Sequence, residues 1–136
     1  MIGKILIIFI LLDFSILNAI IEETNLDSEK TGPQITFLEF GSSGCIPCQM
    51  MEKVMREIRN KYPQTKVDVK FIDAKQKRDI LKEFDVKLIP TQILLNREDK
   101  ILFKHTGYIS SKELIEKIDL FLSRTNSQQN YINDAN

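Results

Sequence analysis

The chain has 136 residues, of which 43% are hydrophobic and 28% charged, a balance that excludes a disordered protein and fits one compact domain. Lys+Arg and Asp+Glu each total 19, so no net charge marks a nucleic-acid or acidic-surface partner. The two cysteines stand together as Cys45-Ile46-Pro47-Cys48, a bridge too short to be an effective staple, which shifts attention to its chemistry.

Residues 1–21 open with Lys4 and an apolar run from Ile5 to Leu12, the pattern of a signal peptide or an N-terminal membrane anchor. Ala19 suits a cleavage site and bulky Leu17 opposes one, while Asp13 would cost about 2.5–3.5 kcal/mol at the centre of a membrane span. An ordinary core helix is disfavoured because the run has no polar face. Export to a periplasmic or other extracytoplasmic space is expected, with membrane association through this segment left open.

Residues 22–33 are polar and aperiodic, a linker leading to a folded domain over 34–123. Ile35 to Phe40 is nearly continuous in apolar character, as in a strand covered on both faces, with Glu39 the exception. After Gly41-Ser42-Ser43-Gly44, a helix places Met51, Val54, Met55, Ile58 and Tyr62 on one face and ends before Pro63. Val67 to Asp73 alternates as a second strand, and Ile80, Leu81 and Phe84 mark a short helix.

Thr91 to Leu95 and Lys100 to Lys104 flank a polar turn at 96–99 and read as a hairpin. Ser110 with Glu113 forms a capping box before a last helix carrying Leu114, Ile115, Ile118, Phe121 and Leu122. Residues 124–136 are polar and are expected to be a disordered tail. The order strand, helix, strand, helix, strand, strand, helix requires one parallel crossover and one antiparallel pair, hence an α/β fold of three layers around a mixed sheet.

Cys45 falls at the start of the first of these helices, where free backbone N–H groups and the helix dipole favour a thiolate. Thiolate attacks disulfide sulfur, so Cys45 is read as nucleophile and Cys48 as the thiol that resolves the mixed disulfide. Pro47 is tolerated in a first helical turn because its missing N–H has no partner there.

A strand, Cys-x-x-Cys at a helix start and Ile89-Pro90-Thr91 before a hairpin occur in an order that resembles the thioredoxin family over about Ile35 to Leu122. The resemblance implies a thiol-disulfide oxidoreductase with a redox-active Cys45–Cys48 disulfide, no cofactor, and disulfide-containing protein substrates. It further implies a cis Ile89–Pro90 peptide, with Ile89 offering backbone hydrogen bonds to an extended substrate.

Glu39, six residues before Cys45, stands at the offset of the family's buried acid and would exchange a proton with Cys48. A solvent-facing glutamate at a strand end is the other reading. Two residues depart from the family: Val69 falls where many thioredoxins carry Lys, and Gly44 where they carry Trp. The first puts the buried charge pairing in question. The second leaves Ile46, Ile89 and the Gly107-Tyr108-Ile109 segment as candidates for a replacement apolar rim, with ordinary loop packing the other reading of Tyr108 and Ile109.

Pro47 before the second cysteine, and no His between the two, resemble reducing members of the family. A monomeric exported reductant, resupplied by a membrane thiol electron donor, is therefore expected, with a disulfide oxidant or isomerase as the alternative. A module holding copper(I) or zinc on the two cysteines is a further alternative, weakened because His105 is the chain's one histidine and a closed zinc site takes four ligands. So is a noncatalytic interaction domain with an inert disulfide, which the presence of Pro90 disfavours.

Overall fold

The computed structural model describes residues 32–133, with side chains to residue 125. The expected targeting segment 1–21 and linker residues 22–31 lie outside the described residues. Among the described residues, no helix is long and apolar enough to cross a membrane.

The elements follow the expected order: β1 (Ile35–Gly41), α1 (Ile46–Lys61), β2 (Val67–Asp73), α2 (Arg78–Glu83), β3 (Thr91–Leu95), β4 (Ile101–Thr106) and α3 (Ser111–Asn133). The four strands form one mixed sheet in the order β2-β1-β3-β4. β1 runs parallel to β2 and antiparallel to β3, which pairs antiparallel with β4.

β1 is apolar at both parities because both its faces are covered. Ile35 and Phe37 point into a core with Met51, Val54, Met55 and Ile58 of α1, Val67, Leu94, and Leu114 and Ile118 of α3. Leu38 and Phe40 point the other way, into a smaller core with Val86, Ile93 and Leu95, against which Ile80, Leu81 and Phe84 pack. The apolar stripe of α1 is thus the face that meets the sheet, and extended Tyr62 ends the helix ahead of Pro63.

Side chains complete several turns. Asn96 Oδ1 accepts from the Glu98 and Lys100 N–H groups in the hairpin. Lys104 Nζ donates to the Phe84 and Asp85 carbonyls at the end of α2, and Ser110 Oγ accepts from Glu113 N–H at the start of α3.

α3 continues to Asn133, past the boundary at residue 123 from which a polar tail was expected. Residues 124–133 contain no Gly or Pro, and extending an existing helix through such residues costs little compared with starting one. Residues 134–136 lie outside the described residues.

Phe37 is fully buried between helix and sheet. Phe37→Ala should lower unfolding stability by about 3–5 kcal/mol in urea denaturation, whereas Ile101→Ala, at an exposed strand position, should change it by less than about 0.5 kcal/mol.

Candidate active site

Strand register gathers one end of the sheet. Gly41 at the end of β1 pairs with Asp73 at the end of β2, Phe40 pairs with Thr91 at the start of β3, and Thr91 pairs with Thr106 at the end of β4. The segments carrying Cys45, Lys75, Pro90 and Tyr108 therefore leave the sheet at the same end.

Cys45 is the N-cap of α1, with extended backbone, and its Sγ accepts the Cys48 N–H at 3.3 Å. The two cysteines form a disulfide with their Cα atoms 5.2 Å apart. Cys45 is half-buried and Cys48 almost wholly buried, so the first cysteine is the more accessible of the two. The first turn of α1 contains no acidic residue, leaving its positive end free to stabilise a thiolate at Cys45. Gly41 makes this close approach: a Cβ there would lie 3.2 Å from Cys48 Cβ and 3.0 Å from Phe71.

Glu39 shares the strand parity of Phe37 and Gly41, which places it on the α1 face of β1 with no solvent exposure. This excludes the solvent-facing reading. Burial pushes its carboxyl up to about 8, opposed by a hydrogen bond from Gln92. Gln92 is its register partner on β3 and donates from Nε2 to Oε1 at 3.4 Å. Glu39 Oε2 has no partner. Val69 packs against the main core, so no lysine reaches the acid from that β2 position.

The Ile89–Pro90 peptide is cis, as expected. It is held on both sides: Thr91 Oγ1 donates to the Leu88 carbonyl at 2.7 Å, and Gly107 N–H donates to the Pro90 carbonyl at 2.8 Å. Gly107 has φ +102, a conformation that favours glycine. That bond brings the Tyr108 segment to Pro90.

Ile46 is 75% exposed beside the disulfide and Tyr108 46% exposed, while Ile89 is partly buried. Ile109 is corrected: at 1% exposure it belongs to the main core, not to an apolar rim. His105 stacks on Phe103, with Nε2 3.3 Å from the Tyr108 carbonyl oxygen.

Three features escaped the pattern of the sequence. Leu88 is exposed just before the cis peptide, and Gln92 is buried against Glu39. Its polar character within Thr91-Gln92-Ile93-Leu94-Leu95 is the one signal that could have singled it out. Lys75 Nζ lies 3.8 Å from where a Cβ on Gly44 would stand, so an ammonium group borders the open backbone before Cys45.

A family model described as Thioredoxin matches residues 19–120. Thioredoxin H4 of Arabidopsis thaliana is 28% identical over 97 residues, covering 60% of this chain and 80% of the relative. A thioredoxin of Staphylococcus aureus is 26% identical over 105 residues, covering 76% of this chain and 99% of the relative. Among solved structures, thioredoxin-2 of the malaria parasite, described as a component of its protein secretion machinery, superposes with a TM-score of 0.59 at 26% identity. That match covers 63% of this chain and 82% of the other.

The raised Glu39 pKa couples stability to pH. From the ordinary value of 4.5 to about 8, the unfolded chain has released this proton and the folded chain retains it. Folded stability should therefore fall as pH rises through that window, by up to about 1.4 kcal/mol per pH unit. Denaturant unfolding of the oxidised protein at several pH values should show this slope, and Glu39→Gln should remove it.

Proposed function

The chain belongs to the thioredoxin family and is a thiol-disulfide oxidoreductase, and from that premise we propose that it reduces disulfides of proteins outside the cytoplasm, with Cys45 attacking and Cys48 resolving. The observation that carries this reading is the Cys45–Cys48 disulfide at the N-terminus of α1, at the sheet end that also carries the cis Ile89–Pro90 peptide. The half-buried first sulfur and the buried second one support the division of labour.

In the reductive direction, the Cys45 thiolate attacks one sulfur of a substrate disulfide. A Cys45–substrate bond forms, the substrate bond breaks, and the other substrate sulfur leaves as thiolate. The Cys48 thiol then passes its proton to the Glu39 carboxylate and attacks Cys45 Sγ, expelling the second substrate sulfur. The substrate has gained two electrons, the cysteine pair has lost two, and solvent protonates the released thiolates. Glu39 ends the cycle protonated, in keeping with a carboxyl whose burial favours the neutral form beside the closed disulfide.

Extended substrate lies along the Ile89 backbone in this reading, with Ile46, Pro90 and Tyr108 as apolar contacts; exposed Ile46 and Tyr108 support it. The reductive direction is supported by Pro47 and by the absence of His between the cysteines. Export is supported by the apolar pattern of residues 1–21. A monomer resupplied by a membrane thiol donor completes the proposal.

Cys45→Ser should abolish reduction of a protein disulfide such as that of insulin; undiminished activity would remove the nucleophile assignment. Cys48→Ser should accumulate mixed disulfides on Cys45 in cells, and their absence during active expression would count against the resolving role. Glu39→Gln should slow exchange roughly a hundredfold near pH 7, with unchanged kinetics eliminating the proton carrier. Alkylation trapping of the pair in cells should find it mostly reduced; a mostly oxidised pair would favour the oxidant.

A further inference from the structure

The interior of the sheet contains a second polar side chain beside Glu39. Gln92 is fully buried, pairs with Glu39 in the β1–β3 register, and has one atom without a partner, its Oε1. Glu39 likewise has one atom without a partner, its Oε2. Leaving such groups unpaired in an apolar interior is costly, so a pair of orphans on adjacent residues calls for an explanation.

The remaining two atoms already meet, Nε2 donating to Oε1 at 3.4 Å. A carboxylate offers only acceptors, so it can take this bond and cannot satisfy the Gln92 carbonyl. A protonated carboxyl is different. With its proton on Oε2 it becomes a donor, and the Gln92 carbonyl is an acceptor waiting for one. A carboxylic acid and a primary amide placed side by side form two reciprocal hydrogen bonds, and here these would use the two atoms now without partners.

On the face Glu39 occupies, α1 presents Cys48, β2 presents Val69 and Phe71, α3 presents Leu114 and Ile118, and β3 presents Gln92. β4 adds His105, the register partner of Gln92, whose Nε2 meets the Tyr108 carbonyl. Among the described residues, Gln92 is the side chain that donates a hydrogen bond to the acid. It occupies the side of Glu39 opposite β2, where Val69 brings no charge.

We infer that Gln92 is the positioning residue of the proton relay, gripping Glu39 by one hydrogen bond when the carboxyl is charged and by two when it is protonated. The inference rests on the reading of Glu39 as proton carrier for Cys48. Its consequence is directional: Gln92 assigns the stored proton to Oε2 and holds the carboxyl plane steady while Cys48 is deprotonated. The amide itself neither gains nor loses a proton.

The test uses the full chain and Gln92→Met, with the smaller Gln92→Leu if methionine packs poorly. In the oxidised protein, infrared spectra with 13C-labelled Glu should locate the Glu39 acid band by its loss in Glu39→Gln. Removing Gln92 should move that band to higher frequency, as the carboxyl loses its hydrogen bonds. The resolving step, followed by stopped-flow from a preformed mixed disulfide on Cys45, should slow about tenfold near pH 7. In a Glu39→Gln background the same substitution should leave that step unaltered.

A folded Gln92 variant that retains either the original band or the original resolving rate overturns the inference, as does an equal loss of rate in the Glu39→Gln background. Normal exchange by Glu39→Gln alone overturns the proton-carrier reading instead, and the band position still decides whether Gln92 grips the acid.

Discussion

β1 is hydrogen-bonded along both edges and covered on both faces, and the active end is positioned from it. Alternation sends Ile35, Phe37, Glu39 and Gly41 toward α1, and Leu38 and Phe40 toward α2. A slip of one residue in register would exchange the two sets, turning Glu39 to the α2 face and Gly41 away from Cys48. That register then delivers the carboxyl of Glu39 into the interior and, two residues on, the bare Cα of Gly41 under Cys48. The depth at which the disulfide sits follows from a missing methyl group.

Around this strand, two electrostatic environments of opposite effect stand close together. The free N–H groups at the start of α1 favour negative charge on Cys45, and the apolar packing around Glu39 disfavours negative charge there. Negative charge is thus favoured at the first cysteine, and a retained proton at the buried carboxyl.

The family frame is retained with different neighbours. The β2 position that carries Lys in many thioredoxins is Val69, and a neutral amide approaches the acid from β3 instead. Where a Trp commonly covers the nucleophile, Gly44 leaves the backbone open and Lys75 borders it. A neutral partner preserves a hydrogen bond to the carboxyl without supplying the charge that would pull its pKa down strongly. Ile46 and Tyr108 stand exposed at the same end of the sheet.

The sequence by itself determined the order of elements, the mixed sheet and the reacting pair, because these depend on local periodicity, turn residues and the spacing of two cysteines. It determined the cis peptide only through resemblance, since Ile-Pro alone permits either isomer. The facing of Glu39 needed the sheet: one glutamate in an almost continuously apolar strand has no alternation to orient it. Gln92 became visible only when β1 and β3 were set in register, for it is 53 residues distant in the chain. Ile109 moved from rim to core, and α3 ran past the last apolar residue of its stripe, for related reasons. Burial is a property of what packs against a residue, and helix propagation needs no apolar face. The chemistry of Cys45 and Cys48 was legible in the chain, while the contact between Glu39 and Gln92 near them was decided by the tertiary structure.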